Sequence, residues 1–515
     1  MRTSGSFGRM LNARPGKRAL VVLCIVWLAF LLLPLFLLAA YVYPAHDDFP
    51  NAMLALEAWI GTGSVFEVIR AAWRQAVADY YQWQGTFAAM FLCALQPMAF
   101  SMDLLWVSPV VTIALLCLSA GYLCRQIARY ILGSDSAAAL VLSTALITLL
   151  VFSAPGVKEL FYWHAAVQYT FSLIVMMLLS GLLIKLHQPQ GKGVYAVRAL
   201  LAALLAFVLG ALPYTHALGG AVAMALIAVW CIRRRSPAAA AAIAGFAAIL
   251  VSLIIVIIAP GNAMRQSASG ESLHPVLAVA HSLKACLCSA AGWFGPEWPG
   301  LALVLVPLLW PLLRKCTVRF GNPAWFSFFS FGVLAACYVP PIFATGVDSW
   351  HLPRIEGSLY MLWSLLAFLN LLYWLGWAAK RFDIPAGGRV RVMSLLVCAV
   401  LVVAGAFAGN APFATPTLGA WKSVLSGEAA RYRSEMAQRQ QAILEAGTLD
   451  EARAAVEPLS VQPILLPLDE LIYQKKSRLP GEMHIFFEAQ RLAEEYGCGN
   501  VPAEMWEQLQ TWMDH

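Results

Sequence analysis

Long apolar runs separated by short polar segments dominate the chain. The runs at 19–43, 102–124, 137–153, 238–259 and 392–408 each approach the roughly 20 residues that cross the hydrocarbon of a bilayer. Extending the pattern along the sequence predicts spans at roughly 20–43, 103–124, 137–154, 165–186, 197–213, 215–232, 238–259, 298–313, 324–345, 356–379 and 391–409. Two further apolar stretches do not fit as crossings. Residues 86–100 are short and broken at Pro97, and residues 276–294 carry His281 and Lys284. Both suit helices lying in the membrane interface, or re-entrant segments.

Composition supports the same reading. Apolar residue types make up 60% of the 515 residues, whereas charged residues supply 12%. A soluble domain carries about a quarter charged residues, so this chain has too little charge to clothe a surface for water. The first run continues for about 25 apolar residues, beyond the 7–15 of a signal peptide's apolar region, and reads as a retained anchor. Several of the eleven cysteines (Cys24, Cys117, Cys231, Cys337, Cys398) lie inside apolar runs, where they act as small hydrophobes.

The basic residues then fix a topology. Arg2, Arg9, Arg14, Lys17 and Arg18 precede the first span. Further clusters follow at Arg125 and Arg129; Lys185, Lys192 and Arg198; Arg233, Arg234 and Arg235; Arg314, Lys315 and Arg319; and Lys380, Arg381, Arg389 and Arg391. These hold twenty of the 35 basic residues, and basic loops face the cytoplasm. About eleven spans place every cluster inside, with residues 1–19 a cytoplasmic basic N-terminus, 20–410 the membrane domain, and a first external loop at 44–102. Counting 86–100 or 276–294 as a span would put several clusters outside.

Residues 411–515 are a different material, with nine basic and fifteen acidic residues. They predict a small external soluble α/β domain: a helix at 427–447, a strand at 461–468 and a second helix at 482–496, joined to the last span by a Pro- and Thr-containing linker at 410–418.

Candidate chemistry gathers in the external loops. His46-Asp47-Asp48-Phe49 follows the first span directly. Two adjacent carboxylates at a membrane surface repel, and desolvation raises their pKa further, so they call for a compensating role as general base, metal ligand or partner of a cation. The alternative is a solvated loop whose acids help cap a helix beginning at Asn51. The segment 51–83 is too polar to span, and ends in Tyr80-Tyr81-Gln82-Trp83-Gln84-Gly85. The next external loop offers Lys158-Glu159-Leu160-Phe161-Tyr162-Trp163-His164, then Gln168-Tyr169. Aromatic and polar residues mixed in this way commonly face sugar rings; an interfacial aromatic belt is the competing explanation. Pro260-Gly261-Asn262 with Arg265, and Trp350-His351-Leu352-Pro353-Arg354, leave spans at the same surface. An arginine there is placed to hold a phosphate bidentately beside a lipid tail, or simply to anchor on headgroups. His216, near a helix break at Pro213, is a candidate polar lining residue or a satisfied buried histidine.

A cytoplasmic N-terminus, a first span ending in an acidic pair, and interfacial helices in a long first external loop resemble the GT-C superfamily of membrane glycosyltransferases. Asp47-Asp48-Phe49, Tyr81-x-Trp83-x-Gly85, Glu159-x-x-Tyr162-Trp163, Tyr169 and Pro260-Gly261-Asn262 look closer still to a bacterial GT-C-like group of envelope proteins. The resemblance implies an all-α polytopic fold, a polyprenyl-phosphate-linked sugar as donor and an extracytoplasmic lipid, glycan or protein acceptor in the cell envelope, at the inner (cytoplasmic) membrane. It implies Asp47 as general base, and Asp48 assisting or contacting a divalent metal such as Mg or Mn where one is used. Arg265, Arg354 and His351 are the candidates for the donor phosphate, from their placement. Tyr81, Trp83, Glu159, Tyr162, Trp163, His164, Tyr169 and Asn262 are those for the remaining substrate contacts. One departure stands out: Thr86 occupies a place where the group leads one to expect a basic residue.

Three competing functions share the location. A lipid-linked sugar transporter or flippase needs intramembrane charge or broken helices near the midplane, whereas here the span centres are almost free of ionisable groups. A non-catalytic envelope assembly protein would not depend on Asp47. A polysaccharide polymerase or ligase would not require the acid pair. No Gly-rich phosphate loop or dinucleotide fingerprint is present, and nothing points to nucleic acid.

Overall fold

The computed structural model describes residues 16–44, 47–134, 136–152, 154–269, 272–295, 297–347, 349–382, 415–445, 457 and 459–466. All regular structure among these residues is helical. Among the described residues nine helices are long and apolar enough to cross a membrane: α1 (Lys17–Ala39), α5 (Val107–Ile131), α7 (Trp163–Leu186), α8 (Lys192–Gly210), α9 (Tyr214–Arg233), α10 (Ala239–Ile257), α12 (Pro275–Gly292), α14 (Pro323–Thr345) and α15 (Pro353–Arg381). The chain is a multi-pass membrane protein. A tenth crossing arises if α6 (Ser136–Val151) counts together with the 3-10 segment Pro155–Phe161, which turns away from it by 86°.

Helix α1 shows why such segments read as apolar on every side. Leu31, Leu35 and Leu38 form a stripe at helical spacing that is fully buried against the bundle, while Val22, Leu23, Ile25 and Val26 on the remaining faces are more than half exposed. Exposed apolar surface on that scale is stable only in hydrocarbon. Inside the bundle, three hydroxyl groups show how such groups are satisfied within their own helices: Thr112 donates to the Ser108 carbonyl at 2.8 Å, Ser143 to Ala139 at 2.7 Å and Ser282 to Ala278 at 2.6 Å. Small residues let helices approach closely. A Cβ on Gly210 of α8 would lie 2.7 Å from the Ile249 carbonyl oxygen of α10.

The charges sort to opposite ends. Lys185 lies within electrostatic reach of Arg125, Arg129 and Arg198, and Lys380 Nζ donates to the Arg314 carbonyl at 3.0 Å, so the basic clusters share ends of neighbouring helices. The opposite ends carry Asp47. Between the end of α1 and the start of α5 lie α2 (Asp48–Thr62) and α3 (Val65–Gln82), a hairpin closed by Gly63 in the left-handed region at φ 62°, and then the eight-residue α4 (Phe87–Ala94). The last is too short to cross, as expected for 86–100.

One region is arranged differently from the expectation. The stretch 276–294, expected not to span, forms α12 and passes on length and composition; the expected span 298–313 lies in α13 (Glu297–Lys315), which is not among the nine. Packing explains both. Leu273, just before α12, donates its N–H to the Phe343 carbonyl at 3.0 Å, at the Asp47 end of α14. Trp293, just after α12, packs on Tyr360 and Trp363 of α15 with centroids 5.5 and 5.8 Å apart. Trp298 of α13 packs on the same Trp363 at 4.8 Å, and the far end of α13 meets Lys380. Helices α12 and α13 therefore make one passage between them, divided at an aromatic cluster two to three turns into α15. Hydropathy alone cannot divide that passage, because both halves are apolar.

At the C-terminal side, α16 (Pro416–Leu425) and α17 (Glu428–Glu445) pack onto α1 near its Asp47 end. Trp421 Nε1 donates to the Phe30 carbonyl at 3.0 Å, Arg433 to that of Ala40, and Tyr432 is buried edge-on against Tyr43. The helix expected over 427–447 is present as α17. The strand expected over 461–468 is not formed where the chain is described, since residues 461–466 run as coil and turn. The expected span at 391–409 and helix at 482–496 lie outside the described residues.

A close contact positions α15. Gly156 and Gly357 touch backbone to backbone: a Cβ on Gly357 would sit 2.6 Å from Gly156 Cα. Gly357→Ala is expected to cost about 1–3 kcal/mol, as overpacking does, and to lower the thermal midpoint of the purified protein. Gly191→Ala, at a site with nothing within 4 Å, should melt with the parent chain. Equal midpoints for both variants would contradict the contact.

Candidate functional site

Asp47 occupies the position just before α2, yet its side chain makes no capping hydrogen bond to that helix. The carboxylate turns instead toward a histidine and an arginine from distant parts of the chain. Its Oδ2 lies 3.8 Å from His164 Nε2 and 3.7 Å from Arg354 Nη1. Both separations exceed a direct charge-assisted hydrogen bond. The Asp47 side chain is 30% exposed and that of Arg354 is 44% exposed. The alternative in which the acids only cap a helix is not the one adopted. That helix begins at Asp48, three residues ahead of the expected Asn51.

The two acids have different surroundings. Asp48 is 3% exposed; its Oδ1 accepts the His164 backbone N–H at 3.2 Å, and its carbonyl accepts from Gln96 Nε2 at 2.7 Å. Asp48 is thus enclosed and braces the segment that carries His164, while Asp47 is the more exposed of the two acids. Both sit at the N-terminus of α2, where the helix dipole favours negative charge. Burial and both carboxylates push the Tyr162 hydroxyl far above its ordinary range, so it stays protonated; it accepts the Asp47 backbone N–H at 2.9 Å.

Two residues not singled out from the sequence complete this arrangement. Asn51 Nδ2 donates to the Asp47 carbonyl at 2.6 Å and lies 3.2 Å from His164 Nδ1. With Nδ1 as acceptor, a neutral His164 carries its proton on Nε2, directed at Asp47. Gln96 is the other. The available signal for Asn51 was its spacing of four residues from Asp47, one helical turn.

Arg265 approaches from a second direction, and two glycines make that possible. A Cβ on Gly85 would lie 2.1 Å from the Val256 carbonyl oxygen, and one on Gly261 would lie 2.6 Å from the Trp83 nitrogen. The turn after α3 thus rests directly on the turn between α10 and α11 (Pro260–Ser269). Asn262 locks the contact: its Oδ1 accepts the Gly85 N–H at 3.0 Å and the Tyr214 hydroxyl, while its Nδ2 donates to the Val256 and Ile257 carbonyls at 2.7 and 3.0 Å. Arg265, one turn further along α11, then donates to Gln84 Oε1 and lies 5.1 Å above the Trp83 ring. Burial lowers the Arg265 pKa, opposed by Tyr169 and Tyr214. Arg265 also feels the charges of Arg354 and Asp47, and Tyr169 feels both arginines, Glu159 and Asp47.

The structure therefore brings together Asp47, Asp48, Glu159, Tyr162, His164, Tyr169, Arg265 and Arg354, with Trp83 beneath Arg265. Other candidates lie elsewhere or are committed. Tyr81 is 57% exposed and stacks edge-on to Tyr80. Trp163 is buried and donates Nε1 to the Leu92 carbonyl at 2.8 Å. Asn262 is occupied with backbone, and His351 is exposed and lies against Trp350 at 3.6 Å between centroids. Thr86 is 1% exposed; the cation beside that turn is supplied by Arg265. His216 is fully buried in α9, and neither ring nitrogen has a hydrogen-bond partner among the described residues.

Among the described residues no group of three or more His, Cys, Asp or Glu side chains has the geometry to hold a metal ion. Asp48, the candidate metal ligand, already gives an oxygen to the His164 N–H. A divalent cation of the Mg or Ca type prefers about six oxygen ligands, several of them carboxylate or carbonyl. The donor set here does not fit a dedicated site. No family model, curated protein or solved structure matches the chain.

The arrangement also makes a pH prediction. Asp79, in the last turn of α3, accepts from Gln75 Nε2 at 3.2 Å, and burial pushes its carboxyl up to about 6. A carboxyl raised on folding is most stabilising while protonated, so its contribution is complete at low pH and is lost as pH rises toward about 6. Between pH 4.5 and 7.5 the thermal midpoint of the parent chain should fall relative to that of Asp79→Asn, by about 1–3 °C. Parallel pH profiles would contradict the burial of this acid.

Proposed function

We propose that this protein is a GT-C-like membrane glycosyltransferase that moves a sugar from a polyprenyl-phosphate donor to an extracytoplasmic acceptor in the cell envelope. The observation that carries this reading is the partly exposed carboxylate of Asp47, set 3.7 Å from Arg354 in a cluster that also holds Arg265 and Tyr169. The positive-inside rule assigns the basic ends of the helices to the cytoplasm and the Asp47 end to the other side. In this reading the N-terminus is cytoplasmic and the helices α16 and α17 lie outside. The expected eleventh passage, at 391–409, belongs to the same topology.

The chemistry is a single displacement. The acceptor hydroxyl oxygen attacks the anomeric carbon as Asp47 takes its proton. The bond from that carbon to the phosphate oxygen breaks with its electron pair, and the polyprenyl phosphate leaves. The configuration at carbon is inverted. Arg354 stands beside Asp47, and with Arg265 it stabilises the charge that develops on the leaving phosphate. His164 directs its Nε2 proton at Asp47 and fixes the carboxylate's orientation. Tyr162, Tyr169 and Glu159 offer polar and aromatic surface to the sugar. No step requires a nucleotide site.

The test incubates the full-length protein in nanodiscs with a panel of polyprenyl-phosphate sugars and follows release of the lipid phosphate. Asp47→Asn is expected to lower turnover by about 10²–10⁴-fold, the range for loss of a general base. Arg354→Gln should weaken both turnover and donor affinity. A transporter or a scaffold would release no lipid phosphate, and the parent chain and Asp47→Asn would then be indistinguishable.

A further inference from the structure

A second feature stands apart from the Asp47 cluster, on the α2–α3 hairpin. A cleft of about 340 Å³ opens there between the two helices, lined by Leu54, Glu57 and Ala58 of α2 and Arg74 of α3. Leu54, Glu57 and Ala58 recur at one-turn spacing, so a single face of α2 forms one wall. Glu57 and Arg74 influence each other electrostatically, yet they do not close into an ion pair, and neither has a hydrogen-bond partner among the described residues. Burial raises the Glu57 carboxyl pKa while Arg74 lowers it. The cleft thus presents a carboxylate on one wall and a guanidinium on the other, spaced by open volume.

The outer face of α3 shows what surrounds this cleft. Phe66, Ile69, Trp73 and Val77 follow at intervals of three and four residues, and each is at least 40% exposed. Val68, Ala71, Ala72 and Ala76 on the opposite face are buried. Both long faces of the helix are therefore apolar, with Arg70 and Arg74 along the seam between them. An exposed apolar stripe edged by arginines on a helix outside the bundle matches an interfacial helix whose stripe enters the acyl region.

We propose that the cleft between α2 and α3 is a binding site for a zwitterionic aminophospholipid of the surrounding leaflet, its phosphate on Arg74, its primary ammonium on Glu57 and its acyl chains along Phe66, Ile69, Trp73 and Val77. Three observations fit this occupant together. Arg74 offers the planar fork that suits a phosphate. Glu57 accepts the N–H bonds of a primary ammonium, which a quaternary ammonium lacks. The adjoining stripe continues the apolar surface that the spans present to hydrocarbon. A soluble zwitterion would satisfy the two charges and leave the stripe uncovered. The site is independent of the transfer chemistry at Asp47.

The test reconstitutes the full-length protein in vesicles of equal phosphatidylethanolamine and phosphatidylcholine, extracts it in mild detergent and weighs the retained lipid by native mass spectrometry. The parent chain should retain phosphatidylethanolamine over phosphatidylcholine by about fivefold, as a charge-assisted contact at one headgroup group implies. Glu57→Gln should erase that preference while phospholipid is still retained. Arg74→Gln should lower retention of both lipids. Thermal midpoints of the variants, measured in the same detergent, identify any that fail to fold, and Glu57→Asp, which keeps the carboxylate, should keep the preference. Retention in the bulk ratio by the parent chain, or a preference that survives Glu57→Gln, would overturn the proposal. Displacement of the lipid by millimolar glycerophosphoethanolamine alone would also overturn it, by showing that the acyl stripe contributes nothing.

Discussion

Arg354 and Arg265 reach the neighbourhood of Asp47 because, at two places, backbone touches backbone with no side chain between. Gly156 against Gly357 seats the start of α15 on the 3-10 segment that follows α6, and this places Arg354, three residues before Gly357, beside the acid. Gly85 against Val256, with Gly261 against Trp83, seats the turn after α3 on the start of α11, and this places Arg265. In hydrocarbon no hydrophobic force draws helices together, so close packing and hydrogen bonds decide their spacing. Asn262 illustrates the second contribution, tying four chain segments with one side chain. A methyl group at any of these glycines would push a cation away from the carboxylate it faces.

Once those contacts are made, the electrostatics follow from burial. Asp48, enclosed and bonded to the His164 N–H, fixes the loop; Asp47, partly exposed, stands 3.8 Å from His164 and 3.7 Å from Arg354. The helix dipole of α2 favours both negative charges at its N-terminus. Charges near a low-dielectric boundary interact more strongly than in water. An acid, a histidine and two arginines grouped there form a polar island at one end of an otherwise apolar bundle. The basic clusters occupy the other end. This polarity gives the bundle a direction, and the transferase reading uses it.

Much of this was legible in the sequence, for identifiable reasons. Span ends announce themselves because a bilayer allows so few polar residues, so Asp47, Glu159, Tyr169, Arg265 and Arg354 stood out individually, and all of them converge. The glycine motifs were also visible, but their partners were not. Gly85 meets Val256 across 171 residues of chain, and nothing local in the sequence marks that pairing. Asn262, expected at the substrate, proved to be the bolt in that joint. Trp163, expected among the substrate contacts, gives its Nε1 to the Leu92 carbonyl, and an indole near a span end looks alike in sequence in either setting. The passage shared by α12 and α13 was hidden because hydropathy reports which solvent surrounds a helix, and not how far it travels. The expected strand at 461–468 rested on a short apolar run, a pattern that coil packed against a helix produces equally well.

The account stands on the acid pair and the arginines sharing a cleft on the side of the membrane away from the cytoplasm. The most direct measurement introduces Asp47→Cys and counts adducts of a membrane-impermeant maleimide by intact mass, in intact cells and again after permeabilisation. One adduct more than the parent chain carries, already present in intact cells, is the predicted result. An extra adduct that appears only after permeabilisation would place Asp47 on the cytoplasmic side and contradict the account.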